Sequence, residues 1–286
     1  MTEAVPGRER DLIERFLDLM LPAVVTAGRY ARQLQPKISV RPQKNGDSWT
    51  SVLTDADLGV QHYFEALLIA HCPDWFFYGE ERDQSFNTDY FDASPICVWL
   101  DPINGTRLYR DGADTFDVLV SLTLNGKLLA TLSAMPGRQT IYGADLIHGA
   151  YRLNSERLDH RMPVSAQSRN QTLAVYQADR WRPYLPDDIE IFDVSADYRA
   201  DDVRCCMNSV LTGELGGYLF GDVALLDVGA TAFNVTQAGG VCSRPDGTTT
   251  DWFDAFSGLR RDDLLVCGNP VLHAAVTAAL SGTIQR

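Results

Sequence analysis

A short, uninterrupted apolar segment, residues 96–100 (ICVWL), stands immediately before a polar loop that begins at Asp101. Consecutive apolar residues that include aromatic and β-branched side chains are typical of a strand whose two faces are both covered. The segment therefore predicts a buried strand, and this strand would deliver Asp101 at its C-terminal end.

Helical spacing of apolar residues predicts helices elsewhere in the chain. The first covers residues 11–34, and a second begins at Thr54, because Thr54 and Asp57 have the spacing of a capping box. Two later helices are each predicted to end at a pair of glycines. They are residues 202–215, before Gly216 and Gly217, and residues 228–238, before Gly239 and Gly240.

A β-hairpin is predicted for residues 116–124 and 128–134. Asn125 and Gly126 lie between them, and this dipeptide is the strongest short signal for a hairpin turn. Shorter strand signals follow near residues 173–176 and 189–194.

Hairpins combined with long helices favour a layered α/β or α+β fold over a simple parallel βαβ array. A division near residue 155 would separate an N-terminal part, residues 1–155, from a C-terminal part, residues 156–286. The N-terminal part would carry most of the polar motifs described below, and the C-terminal part would supply Asp227 and the substrate pocket.

The chain has 286 residues and a formal net charge of −13. So acidic a chain disfavours nucleic-acid binding, which requires clustered Lys and Arg to displace counterions. No apolar run approaches the roughly 20 residues that span a bilayer, and the first residues lack the apolar centre of a secretory signal. We therefore expect a cytoplasmic protein that binds neither nucleic acid nor membrane.

The loop at residues 101–106 (DPINGT) carries the strongest chemical signal in the sequence. Its carboxylate and carbonyl oxygens suit a hard cation such as Mg²⁺, and backbone amides next to a glycine suit a phosphate. In isolation, the loop could equally be a turn in which Asp101 and Asn104 hydrogen-bond the backbone.

Further carboxylates stand at the ends of other predicted elements. Glu80 and Glu81 follow the apolar run 75–78, and Asp227 lies at the start of a helix. Each alone could be a solvated charge or a helix cap. Their order along the chain relative to Asp101 is more informative than any one of them.

Four motifs in this order resemble the inositol monophosphatase family. They are L-T-D-A-D at residues 53–57, G-E-E at 79–81, D-P-I-N-G-T at 101–106, and L-D at 226–227 leading to Q-A-G-G at 237–240. The resemblance implies a layered αβαβα sandwich, usually a homodimer, with two or three Mg²⁺ ions and sensitivity to lithium. It also implies hydrolysis of a phosphate monoester by a metal-activated water.

Roles follow from the resemblance, position by position. Glu80, Asp101 and the carbonyl of Ile103 would bind one metal ion, and Asp101 with Asp227 a second. Asp57 and Thr106 would orient and deprotonate the attacking water beside Glu80. The amides of Gly105 and Thr106 would bind the phosphate.

Asn104 departs from the family pattern, which has a metal-binding aspartate there. An amide oxygen can ligate Mg²⁺ but brings no charge, so metal binding should be weaker. The residue could be a natural divergence, an introduced substitution or the mark of an inactive relative. Two hypotheses therefore stand: an active phosphatase, or a catalytically impaired member that binds or regulates.

Other departures concern the substrate. Phe220 stands where inositol-specific members carry a glutamate, and Leu226 replaces a tryptophan, although Phe220 could simply be part of the core. Arg107 and Arg110 follow the loop in a pattern closer to adenosine 3',5'-bisphosphate nucleotidases, and they could meet a second phosphate or be solvated. Inositol monophosphate-like, sugar phosphate and nucleotide substrates all stay open.

Overall fold

The structure is a computed structural model that describes residues 5–37, 40–42, 52–84, 90–176 and 178–281. These residues form seven α-helices and fourteen strands. The helices are α1 (Gly7–Leu34), α2 (Asp55–His71), α3 (Thr106–Arg110), α4 (Ala178–Trp181), α5 (Ser209–Thr212), α6 (Leu225–Gln237) and α7 (Pro270–Leu280).

The strands form three sheets. Strands β1 (Val40–Pro42) and β2 (Val52–Thr54) pair as a small antiparallel sheet. The first large sheet contains β3 (Phe76–Gly79), β4 (Ile96–Asn104), β5 (Asp117–Leu124), β6 (Lys127–Met135), β7 (Thr140–Asp145), β8 (Gly149–Asn154) and β9 (Arg157–Pro163), in that order. The second contains β10 (Leu173–Val175), β11 (Ile191–Asp193), β12 (Gly217–Ala224), β13 (Val241–Ser243) and β14 (Arg261–Cys267), in the order β11-β10-β12-β14-β13.

The elements stack in five layers. Helices α1 and α2 pack together on the first sheet, against β5, β6 and β4. Helix α6 lies between the two large sheets and contacts β4 to β8 on one side and β12 to β14 on the other. Helix α7 covers the outer side of the second sheet, where Leu272 and Val276 pack with Leu219 and Leu265. The order helix, sheet, helix, sheet, helix is the predicted one.

Most of the strand predictions are confirmed. The run 96–100 lies in β4, which extends four residues further than predicted and so includes the polar loop's first residues. The predicted hairpin is β5 and β6, and Asn125 (φ 51°) and Gly126 (φ 82°) both have the positive φ that its turn requires.

The helix predictions are right for α1, α2 and α6 and wrong for residues 202–215. That segment contains a 3-10 turn, Val203–Cys205, and the four-residue helix α5, which Gly213 ends with φ 85°. Gly216 and Gly217 do not cap a helix. They precede and begin β12, where an added Cβ would meet the carbonyl of Asn170 and the sulfur of Cys267, respectively.

The change from one large sheet to the other falls between Pro163 and Leu173. Residue 155 lies in the turn between β8 and β9, within the first sheet. The division of the chain into two parts at that residue stays a prediction. Among the described residues, no helix combines the length and apolar content that crossing a bilayer requires.

Candidate functional site

The ends of β3 and β4 bring two carboxyl groups side by side. The strands are parallel, and their register pairs Gly79 with Leu100. The backbone amide of Glu80 donates to the carbonyl of Leu100 at 3.0 Å. Glu80 and Asp101 come next along the two strands, and their carboxyl groups are close enough to influence each other's pKa.

A contact between α2 and Glu81, the residue after Glu80, helps to hold this segment in place. The side-chain oxygen of Gln61, on α2, accepts from the amide of Glu81 at 2.9 Å, and its nitrogen donates to the Glu81 carbonyl at 3.1 Å. A Cβ at Gly79 would collide with the Gln61 side chain. A glycine at position 79 is therefore needed to leave room for the Gln61 side chain, which hydrogen-bonds the backbone of Glu81.

The polar loop turns sharply at the end of β4. The β4–β5 pairing is interrupted between Asp101 and Asn104, and Asp101 Oδ1 accepts from the amide of Ile103 at 3.2 Å. Thr106 Oγ1 donates to the Ile103 carbonyl at 3.1 Å. Gly105, with φ 77°, leads the chain into α3 in a conformation that favours glycine.

Two further carboxyl groups approach from the first turns of helices. Asp227 lies in the first turn of α6, and Asp57 lies, almost fully buried, in the first turn of α2. After burial, the charge of Asp227 contributes to raising the pKa of Glu80, and Asp57 contributes less. The structure thus brings Glu80, Asp101, Asp227 and Asp57 into electrostatic contact. Their individual roles stay predictions.

Burial disfavours ionisation of Glu80, Asp101 and Asp227, and repulsion by neighbouring carboxylates adds to the effect at Glu80 and Asp101. Burial, followed by the charge of Asp227, raises the pKa of Glu80 to about 8. Burial and then the charges of Glu80 and Asp227 raise the pKa of Asp101 well above its usual range. Burial raises the pKa of Asp227 to about 6, and Arg261 acts in the opposite direction. As a whole residue Glu80 is exposed, so solvent reaches it although protein atoms surround its carboxyl group.

The donor set fits a hard divalent cation by its chemistry. It consists of carboxylate and carbonyl oxygens, which Mg²⁺ and Ca²⁺ prefer, and its raised pKa values reflect negative charge that a cation would offset. Within the described ranges, no three or more His, Cys, Asp and Glu side chains already enclose a metal position.

Asn104 is held by a carboxylate that the sequence reasoning missed. Its Nδ2 donates to Asp117 Oδ1 at 2.9 Å. Asp117 is 2% exposed, and its other oxygen accepts from Ser133 and Asn208. Burial raises the pKa of Asp117 to about 6, although these three donors act in the opposite direction. An aspartate among the apolar residues 116–124 was the available signal, since a buried carboxylate requires partners.

Phe220 and Arg107, the two side chains predicted to contact the substrate outside the polar loop, each pack against a tyrosine ring. Phe220 is 8% exposed and stacks on Tyr218 with ring centroids 4.3 Å apart, the core role that the sequence left open. The guanidinium carbon of Arg107 lies 3.5 Å from the ring centroid of Tyr198, whose hydroxyl donates to Asp111 at 2.9 Å. A substrate role for either stays a prediction.

Comparison with known proteins supplies a family match and structural neighbours. A family model described as the inositol monophosphatase family matches residues 14–285. A search of curated protein sequences gives no match.

Three solved structures illustrate the likeness. The extragenic suppressor protein suhB from Bartonella henselae has a TM-score of 0.68 at 19% identity, covering 94% of this chain and 99% of that one. An IMPase from Thermotoga maritima has a TM-score of 0.70 at 16% identity, covering 94% and 98%. An IMPase/NADP phosphatase complexed with Mg²⁺ and phosphate has a TM-score of 0.66 at 16% identity, covering 96% and 95%. At these identities the likeness concerns the fold, and it confirms the predicted layered α/β architecture.

Proposed function

This chain belongs to the inositol monophosphatase family, and from that premise we propose that it hydrolyses a phosphate monoester on a small metabolite with the help of Mg²⁺. The observation that carries the proposal is the meeting of Glu80, Asp101 and Asp227 at the ends of separate elements. Placing carboxylates together where burial raises their pKa values is unfavourable for folding. A cation-dependent activity is a physical reason for the arrangement.

The metal ligands in this proposal are oxygen atoms of residues that lie at the ends of β3 and β4 and at the start of α6. They are the carboxylates of Glu80, Asp101 and Asp227, the carbonyl of Ile103 and the amide oxygen of Asn104. Two or three bound cations would offset the charges of the carboxylates and of the phosphate, and would favour ionisation of water at neutral pH.

The remaining residues would position water and phosphate. Asp57, buried beside Glu80, would accept a proton from the attacking water, and Glu80 would help to orient that water. The hydroxyl of Thr106 would exchange its bond to the Ile103 carbonyl for one to the same water. The amides of Gly105 and Thr106 would donate to phosphate oxygens.

The substrate stays open among an inositol monophosphate, a sugar phosphate and a nucleotide of the adenosine 3',5'-bisphosphate type. The apolar Phe220, packed in the core, gives no acidic acceptor for a polyol hydroxyl and so disfavours the first. Arg107 is half-buried and already stacked on Tyr198, where it could still offer N–H donors to a second phosphate. If so, Arg107→Ala would raise KM for the bisphosphate more than for a monophosphate.

Phosphate release with Mg²⁺ from a panel of inositol monophosphates, fructose 1,6-bisphosphate and adenosine 3',5'-bisphosphate tests the proposal. We expect turnover of at least one, loss of about 100-fold or more in Asp227→Asn, and no change in Asp254→Asn, which alters an exposed aspartate. Absence of turnover by the folded protein on the whole panel would contradict it.

A second candidate function is a catalytically impaired member that binds a phosphorylated ligand or regulates a partner. Asn104 is the observation that favours it, because an amide brings no charge to the cation. This function predicts that inorganic phosphate binds in the presence of Mg²⁺ while no substrate turns over. Calorimetric titration beside the phosphatase assay separates the two functions.

Three finer properties are proposed on family membership. A homodimer would be seen by light scattering coupled to size exclusion, and lithium would lower any Mg²⁺-dependent activity. A cytoplasmic location would be checked by fractionation of the cells that make the protein.

A further inference from the structure

A half-buried amide and a buried carboxylate form a pair beside the acidic site. The antiparallel register of β4 and β5 sets Asn104 opposite Asp117, and Asn104 Nδ2 donates to Asp117 Oδ1 at 2.9 Å. An ionised carboxylate can only accept, so it selects the NH₂ end of the amide. The amide oxygen of Asn104 is therefore turned away from Asp117.

Asp117 is itself fixed in place. Ser133 Oγ and Asn208 Nδ2 both donate to its second oxygen, and Asn208 Nδ2 also donates to Ser133 Oγ at 2.8 Å. Asp117, Ser133 and Asn208 are all buried. Moving the carboxylate would leave buried donors unsatisfied, which is unfavourable. The orientation of Asn104 therefore rests on a rigid support from three elements, β5, β6 and the start of α5.

The charge of Asp117 reaches the acidic site. Asp101 lies three residues before Asn104 on β4, and Asp117 is one of the charges that, after burial, disfavour its ionisation. An amide backed by a carboxylate thus offers an oxygen and a negative charge from two different residues. The arrangement resembles a metal ligand and the outer residue that orients it.

We propose that Asp117 is a positioning residue for the cation site: it turns the amide oxygen of Asn104 toward the bound ion and supplies from behind the charge that the amide lacks. The inference deepens the proposed function and depends on one part of it, the binding of a divalent cation by the acidic group. It makes positions 104 and 117 a unit that needs one amide and one carboxylate.

Exchanging the two members tests the unit. The proteins to compare are the unaltered chain, Asn104→Asp, Asp117→Asn, and the double variant carrying both changes. Asp145→Asn is the matched control, because Asp145 is also a fully buried aspartate of the first sheet but lies on β7 and bonds His148. Mg²⁺ affinity is measured by calorimetry without substrate, and Tm is measured in EDTA.

We expect Asp117→Asn to weaken Mg²⁺ binding by about tenfold or more, as loss of an outer-shell partner commonly does. Asn104→Asp sets two carboxylates against each other, so its Tm in EDTA should fall. The double variant restores an amide and a carboxylate in contact, and both Tm and Mg²⁺ affinity should return, the latter to within about threefold. The control should leave Mg²⁺ affinity unchanged.

The proposal is overturned if Asp117→Asn keeps its Mg²⁺ affinity within about twofold, or if the double variant binds Mg²⁺ no better than Asp117→Asn. Should Asp117→Asn fail to fold, equal Tm values of Asn104→Asp and the double variant in EDTA overturn it instead. Failure of the unaltered protein to bind Mg²⁺ also overturns it. If the binding pattern holds while no variant hydrolyses any substrate, the pair stands and the hydrolase proposal fails.

Discussion

The carboxylates of Glu80, Asp101 and Asp227 lie close together although their charges repel. This repulsion should govern how the stability of the cation-free protein depends on pH. Each has a raised pKa, chiefly because burial removes water from the charged form. Where a cation is lacking, protonation is the means by which this repulsion can be relieved. Binding of Mg²⁺ should therefore be coupled to release of protons.

The first prediction concerns pH. The folded-state pKa values of Glu80 (about 8), Glu81 (about 7) and Asp227 (about 6) lie above their ordinary values of 4.5, 4.5 and 3.8. The folded state then binds more protons between about pH 4 and 8, so its stability falls as pH rises through that window. His273, whose pKa burial lowers, opposes this below its ordinary value of 6.5.

We expect Tm in EDTA to be lower at pH 8 than at pH 5.5 by several degrees, and the rise in Tm caused by Mg²⁺ to be larger at pH 8. Scanning calorimetry or thermal fluorescence across this range checks both. A Tm in EDTA that rises steadily from pH 5.5 to 8 would show that these carboxyl groups do not determine the pH dependence of stability in this range.

The second prediction removes one member of the repelling group. Glu80→Gln should raise Tm in EDTA at pH 8, because it removes a charge that the fold disfavours, and should abolish the rise in Tm on adding Mg²⁺. Glu81→Gln is the matched control, since Glu81 also has a raised pKa but is no predicted ligand. It should raise Tm in EDTA while keeping the response to Mg²⁺. Identical Mg²⁺ responses in the two variants would contradict the ligand role of Glu80.

At the scale of elements, the turn from β4 into α3 depends on Gly105. Gly105 has a positive φ, which alanine adopts only with strain, and an added Cβ would lie 3.0 Å from Leu108 Cδ1. Gly112 also has a positive φ, 80°, but has open space around it. Both Gly105→Ala and Gly112→Ala should lower the free energy of unfolding by roughly 1 kcal/mol.

Only Gly105→Ala should affect catalysis, because its amide is proposed to bind phosphate. We expect kcat/KM to fall about tenfold or more in Gly105→Ala and to stay within about twofold in Gly112→Ala. Urea unfolding gives the first quantity and steady-state kinetics the second. Equal kinetic effects would show that the turn acts through stability alone.

Comparison of elements shows which physical signals the sequence carries. The β5–β6 hairpin was predictable because Asn125 and Gly126 determine their turn locally. The segment 202–215 was not, because Asn208 bonds Asp117 and Ser133 across the molecule, and because Gly216 and Gly217 are constrained by Asn170 and Cys267, which are distant in sequence. Local patterns fail where a residue's conformation is decided by tertiary contacts.

The candidate site divides in the same way. Glu80 and Asp101 could be singled out because each follows an apolar run in the sequence, and the parallel pairing of β3 with β4 then sets them side by side. The support of Asn104 by Asp117 depends on the register of β4 and β5, which no local pattern specifies. Asp117 was visible only as a charge inside an apolar strand.

At the scale of the whole molecule, α6 is the layer that both large sheets share. Val235 on α6 and Val276 on α7 are both fully buried. Val235 belongs to the large core that includes residues of both large sheets, whereas Val276 belongs to the smaller core between α7 and the second sheet. Val235→Ala and Val276→Ala should each lower the free energy of unfolding by about 1–3 kcal/mol.

Their effects on local stability should differ. Hydrogen exchange should speed up in strands of both large sheets for Val235→Ala, and mainly in α7 and the second sheet for Val276→Ala. Loss of protection confined to one sheet in Val235→Ala would argue that the two sheets open independently.

The central position of α6 also bears on how the chain is made. The first large sheet is complete once Pro163 has left the ribosome, whereas α6 begins only at Leu225. The growing chain must therefore carry an uncovered apolar sheet face while about 60 more residues are translated, several seconds at typical rates. We expect this nascent intermediate to depend on chaperones, and we expect Asp227 to join Glu80 and Asp101 only after α6 has been made.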